Sequence, residues 1–179
     1  MEKENAGCWR IVVYCMKRAI LSISTLLVFA FLLTACGSQK PQDIISNGLG
    51  IDASSGSEIS SSDNHGGFHG DGTIYIALYF PDNTVLEQIE ESTQWKAFPL
   101  DRTVCTLVYG VSDSTSSVGP FLNDGQGNSL VPVIRNGYYL LIDQHSDKGT
   151  DILHRGSFNF TLGLYDTDTN TLYYCKLDT

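Results

Sequence analysis

Five side chains able to do acid–base or metal chemistry crowd into twelve positions: Asp143, His145, Asp147, Asp151 and His154. A set of imidazoles and carboxylates can bind zinc or relay protons. In a chain this acidic, the same crowding is expected in any polar loop, and a solvated loop is the stronger reading. His65, His69 and Asp71 form a second set, in His-Gly-Gly-Phe-His-Gly-Asp-Gly. Histidines four apart chelate a metal from a helix face, but four glycines in eight residues argue against that helix. A phosphate-cradling glycine loop needs a strand before it and a helix after it, whereas this run precedes a strand. It reads as the end of a linker docking on a sheet.

Asp166, Asp168 and Asn170 have the spacing that opens an EF-hand calcium loop. Thr171 stands where that loop needs glycine, and Leu177 where it needs a bidentate glutamate. A hairpin turn, using Asp and Asn for local hydrogen bonds, is the reading kept. Tyr75, Tyr79, Trp95 and Tyr139 could make an aromatic stripe, but tyrosine on strands is ordinary. No G-x-S-x-G elbow and no C-x-x-C pair occurs. No catalytic residues, cofactor or metal are therefore expected. Cys105 and Cys175 are either two buried thiols or one disulfide.

The chain has 179 residues with 11 basic against 20 acidic side chains, a net charge of -9. The length suits one domain. The charge makes a nucleic-acid surface improbable, because phosphate contacts need clustered Lys and Arg.

Lys17-Arg18 precede the apolar run Ala19–Leu33, 15 residues long. That matches the h-region of a signal peptide and falls short of the roughly 20 residues of a spanning helix. The run ends in Leu33-Thr34-Ala35-Cys36. This resembles the lipobox of bacterial lipoproteins. The resemblance implies a diacylglycerol on the Cys36 sulfur, cleavage just before Cys36, and a domain anchored on the extracytoplasmic face of the cell membrane. Residues 1–35 are then the signal peptide. Met16-Lys17-Arg18 is a better start than Met1, so residues 1–15 read as an upstream extension. From Cys36 onward there are 7 basic and 18 acidic side chains, a net charge of -11, which disfavours contact with anionic headgroups.

Residues 36–68 read as a lipidated, flexible linker. Residues 37–67 hold eight serines and six glycines, too little apolar surface to offset ordering. As a random coil the segment would span roughly 30 Å.

Residues 69–179 read as one α+β domain: a small antiparallel sheet of four to six strands with one short helix packed on it. Ile74, Ile76, Leu78 and Phe80 alternate as on a strand. Thr84 with Glu87 has capping-box spacing, and Val85, Leu86 and Ile89 fit a helix over about 83–92. Thr103–Tyr109 is rich in β-branched and aromatic residues and reads as a strand. Residues 111–128 read as mostly loop. Leu130–Ile134 reads as a short edge strand, and Tyr138–Ile142 as a buried one. Phe158, Phe160, Leu162 and Leu164 alternate into a final hairpin with Leu172–Leu177. An even-length turn puts Tyr173, Cys175 and Leu177 on the same face as Phe158–Leu164. An odd one would bury the Lys176 ammonium, so the even turn is expected. If Thr103–Tyr109 pairs beside the last strand, Cys105 and Cys175 could form a disulfide.

Together these features predict a lipid-anchored extracytoplasmic binding module for a protein or small-molecule ligand. A small hydrolase or metal-dependent enzyme using the 143–154 loop is the alternative, and a structural envelope lipoprotein the third.

Overall fold

The computed structural model describes residues 39–66 and 70–179. The signal peptide expected over residues 1–35 and the expected lipid site Cys36 lie outside the described residues. In chain order the elements are α1 (Pro41–Leu49), β1 (Ser57–Asp63), β2 (Gly72–Tyr79), α2 (Thr84–Glu91), β3 (Lys96–Ala97), α3 (Arg102–Tyr109), β4 (Val111–Ser112), β5 (Ser117–Val118), β6 (Gly137–Asp143), a 3₁₀ turn (Ile152–His154), β7 (Asn159–Asp166) and β8 (Thr171–Asp178). Among them no helix is long and apolar enough to cross a membrane.

Six strands form one sheet in the order β1-β2-β8-β7-β6-β3, with every neighbouring pair antiparallel. β4 and β5 form a separate two-stranded ribbon. The α+β class and an antiparallel sheet of six strands match expectation, but the domain carries three helices.

The last hairpin sets the logic of the core. Asp166 pairs with Thr171, so four residues make the turn, an even number. Phe160, Leu162 and Leu164 stand opposite Leu177, Cys175 and Tyr173. All six enter one hydrophobic cluster with Val104, Leu107 and Val108 of α3. The other face of the sheet is covered as well. Ile76, Leu78, Tyr165, Leu172 and Tyr174 pack with Ile45 and Leu49 of α1 and with Val85 and Ile89 of α2. The domain thus has three layers, and its central strands are buried on both faces. One face alone would leave strands alternating between apolar and polar; here Tyr165 and Tyr174 fill positions a one-sided sheet would give to water.

The linker expected over residues 36–68 is corrected, because Pro41–Asp63 is folded into the domain. Pro41 starts α1, where a missing N–H costs nothing. Ile45 and Leu49, four apart, are buried. Two glycines let α1 lie close to the sheet. A β-carbon on Gly48 would come within 2.6 Å of the Tyr174 ring, and one on Gly163 of β7 within 2.8 Å of Leu49. The connection from α1 to β1 is tied down by Gln42 Nε2 donating to the Gly56 carbonyl (2.9 Å) and by the Ala53 N–H donating to Ser46 Oγ (3.0 Å). β1 then pairs with β2 although all seven of its residues are exposed.

Thr103–Tyr109 is a helix rather than the expected strand. Asp101 caps it, its Oδ1 accepting the Val104 N–H at 2.9 Å. Val104, Leu107 and Val108 make a helical stripe with no exposed surface. Packing of that stripe against the sheet outweighs the β preference of the run. Leu130–Ile134 forms no strand. The Tyr109 hydroxyl donates to the Pro132 carbonyl (2.8 Å) and accepts the Ile134 N–H (3.1 Å), taking up backbone groups that a strand would pair. α2 lies where expected, but its capping box does not form. Asn83 makes no side-chain cap, and Asp82 accepts the Thr84 N–H instead.

Candidate functional site

The loop from Asp143 to Arg155 holds the densest set of chemically capable side chains. Its geometry is that of a self-bonded loop. β6 delivers Asp143 at its C-terminal end, and the polypeptide returns through the 3₁₀ turn to β7. Arg155 Nη1 donates to both Asp143 oxygens at 2.9 Å. The Arg155 side chain is only 6% exposed and that of Asp143 26%. Lys148 Nζ donates to the Asp143 carbonyl at 2.6 Å. Burial alone raises the Asp143 carboxyl. The Arg155 hydrogen bond, the His145 N–H, and the charges of Arg155 and Lys148 outweigh burial and hold the group below its ordinary range.

The two histidines do not converge. His145 Nδ1 accepts the Asp147 N–H at 3.0 Å, so Nε2 carries the proton and faces Ser157 Oγ at 3.1 Å. Hydrogen bonds from the Thr150 side chain, the Thr150 N–H and the Gly149 N–H lower the Asp147 pKa. Asp151 Oδ1 accepts the Leu153 N–H as the cap of the 3₁₀ turn. His154 lies 3.4 Å from Asp151 with its side chain 80% exposed. These groups hold the loop in shape, with no base aimed at a shared point.

Above the 3₁₀ turn lies an open cleft of about 390 Å³ between α3 and the β4–β5 ribbon. Val111, Val118 and Leu153 give it apolar walls, and Arg102, Asp113, Asp151 and His154 stand around it. Val111 and Val118 pair directly across the ribbon and stay 42% and 45% exposed. Asp113 is held down to about 2 by hydrogen bonds from Thr115 and Ser116, so its charge serves the ribbon's own turn. Sequence reasoning missed this cleft. Two of its apolar walls, Val111 and Val118, lie in a segment rich in Ser, Gly and Asp, with no period to reveal them.

The remaining candidates resolve individually. His65 Nδ1 lies 2.7 Å from Asp63 Oδ1, and its Nε2 lies 3.4 Å from Asp178 Oδ2 without hydrogen-bond geometry. The two carboxylates flank opposite sides of the ring and do not share one ligand position. Asp71 is exposed, and His69 lies outside the described residues. Among the described residues no cluster of three His, Cys, Asp or Glu side chains could hold a metal ion. Asp166 accepts from the Asp168 N–H and the Thr169 hydroxyl, both at 2.9 Å, as a turn residue. Asn136 Nδ2 donates to Asp168, and Asn170 takes the left-handed conformation at φ 51°. The four aromatic residues make no stripe. Trp95 packs on the α1–α2 face, Tyr75 and Tyr139 on the α3 face, and Tyr79 is 42% exposed.

Cys105 and Cys175 are free thiols. The disulfide required a strand at Thr103–Tyr109 beside β8, and that segment is a helix in another layer. Burial pushes the Cys175 thiol up to about 12.

No protein-family model matches the chain, and no curated protein or solved structure does. The class defined so far is a three-layer α+β domain with an antiparallel six-stranded sheet, and any functional reading rests on its own residues.

Proposed function

We propose that the protein is a lipid-anchored extracytoplasmic module that binds a partner and performs no catalysis. The observation that carries the reading is the complete box Leu33-Thr34-Ala35-Cys36 behind Lys17-Arg18 and a 15-residue apolar run. Thr34 and Ala35 are small enough for a peptidase to reach the backbone, and the Cys36 thiol is a nucleophile placed to take the lipid. Two acyl chains anchor stably where one is marginal, at about 0.8 kcal/mol per buried methylene.

The fold sharpens this proposal. With α1 starting at Pro41, only three residues lie between Cys36 and Lys40, and those four backbone steps reach at most about 14 Å. The domain would therefore be held beside the headgroups, in place of the roughly 30 Å excursion a free linker would allow. Its net charge of -11 opposes adsorption onto anionic lipid, which keeps its surfaces available to a partner. The self-bonded state of Asp143, His145 and Asp147 favours binding over hydrolysis.

Mass spectrometry of the N-terminal peptide from producing cells tests the anchor. The expected result is a new N-terminus at Cys36 carrying lipid. An intact Ala35–Cys36 bond, or an unmodified thiol on membrane-fraction protein, would overturn it. Cys36→Ser is expected to move the domain out of the detergent phase or leave it unprocessed, with an unchanged circular dichroism spectrum.

A further inference from the structure

The six-stranded sheet has two edges, and they differ. At one edge the two-residue strand β3 covers Tyr138 and Tyr139 of β6. At the other edge β1 offers seven consecutive exposed residues, Ser-Glu-Ile-Ser-Ser-Ser-Asp. Natural edges are guarded by short length, proline, lysine or bulges. β1 has no proline and no cation, and its single irregularity lies between Glu58 and Ser60. From Ser60 to Asp63 it runs in straight register with Ala77 to Ile74.

The hydrogen-bond parity shows which groups stand free. The Asn64 N–H donates to the Thr73 carbonyl at 3.1 Å, continuing the same register. In an antiparallel pair, hydrogen-bonded positions alternate with non-bonded ones. Ser62 and Ser60 therefore bond to β2, while Ser61 and Asp63 turn their N–H and C=O groups outward.

We propose that this outer edge takes an extended basic segment of a partner protein as a seventh strand, a proposal that rests on the binding-module reading. Strand addition uses main-chain hydrogen bonds for affinity and side chains for choice. The choice here is set by charge. Glu58 and Asp63 flank the free groups, the Asp63 side chain is 61% exposed, and the domain carries -11 overall. A second copy of this chain would bring the same carboxylates to an edge without a cation, and like charges across a strand pair repel. Two of the large apolar side chains exposed among the described residues sit on this side of the sheet: Ile59 on β1 and Tyr79 on β2. A segment alternating basic and aliphatic residues satisfies both features.

The test uses the full chain in detergent and two eight-residue peptides, one alternating Lys and Val, the other Glu and Val. The Lys peptide is expected to slow amide exchange at Ser61 and Asp63 by about tenfold, and the Glu peptide to leave it unchanged. Ser61→Pro should abolish the effect without loosening β2 or β8, because the Ser61 N–H makes no bond to β2. Glu58→Lys should weaken the Lys peptide and strengthen the Glu peptide. Unchanged exchange with saturating Lys peptide, equal protection by both peptides, or protection at residues 111–118 instead would overturn the proposal. So would Ser61 protection that appears without peptide and grows with protein concentration, since that marks a second copy. None of these readouts depends on the state of Cys36, so the anchor and the edge can fail separately.

Discussion

Arg155 keeps its guanidinium almost wholly out of water because Asp143 takes both hydrogen bonds of one Nη, and Lys148 braces the same turn from the exposed side. Removing Arg155 leaves Asp143 with one solvated cation. Arg155→Ala is expected to cost about 2 kcal/mol in urea unfolding, below the range for a fully buried pair because Asp143 keeps some water. Lys148→Ala should change stability by less than about 0.5 kcal/mol, as exposed ion pairs do. The histidines divide in the same way. His145→Ala loses two side-chain hydrogen bonds and should cost about 1 kcal/mol, whereas His154→Ala should be near neutral. Equal effects of the two would mean that the loop is not held by these bonds. Cys175 gives a chemical readout. A buried thiol raised to about 12 stays protonated and unreactive. Peptide mapping after thiol labelling should find Cys175 unmodified in native protein and modified after unfolding. Modification at the same rate in both states would contradict its burial.

At the scale of elements, the clearest consequence concerns how α1 meets the sheet. Gly163 of β7 faces Leu49 and Trp95, and a methyl there would sit 2.7 Å from the indole. Gly163→Ala is expected to lower stability by about 1–3 kcal/mol through overpacking, read as a drop in thermal midpoint. Asp101→Ala should cost about 1 kcal/mol by uncapping α3 and releasing the Tyr139 hydroxyl, which donates to Asp101 Oδ2 at 3.2 Å. These same elements divide what was readable from what was not. The alternation in Phe160–Leu164 and the position of Lys176 were enough to set the register of β7 against β8, since one slip would have buried an ammonium. α3 reads as a strand from composition because Thr, Val, Cys and Tyr dominate it, residues that favour strands when counted singly. The helical spacing of Val104, Leu107 and Val108 behind an Asp cap carried the opposite signal. α1 and β1 were hidden by composition. Ser and Gly made them look like linker, while Ile45 and Leu49 were already four apart.

For the molecule as a whole, charge and pH set the expected behaviour. Asp63, Asp113, Asp143 and Asp147 all have carboxyl pKa values lowered in the fold, chiefly through hydrogen bonds and, at Asp143, against its burial. A lowered folded pKa stabilises the native state above the unfolded value of about 3.9, and that gain disappears as pH falls through the folded value. Denaturant midpoints are therefore expected to hold from neutral pH to about 5 and to fall progressively below about 4. A midpoint that rose steadily into that range would mean that relief of the -11 repulsion outweighs these bonds. From its residues alone the chain determined its acidic surface, the strands β2, β6, β7 and β8, the helix α2 and the pairing of the last hairpin. Each of these is written in local periodicity or in the cost of burying one charge. Only the tertiary structure decided that α1, β1 and α3 belong to the domain in their observed forms, and that the loop carboxylates bond to their own backbone. A segment of seven to nine residues with mixed propensities has no conformation of its own to declare. It takes the one that covers an open face of the sheet, as α1 and α3 do, or extends an open edge, as β1 does, and that face or edge exists only once the distant strands have paired.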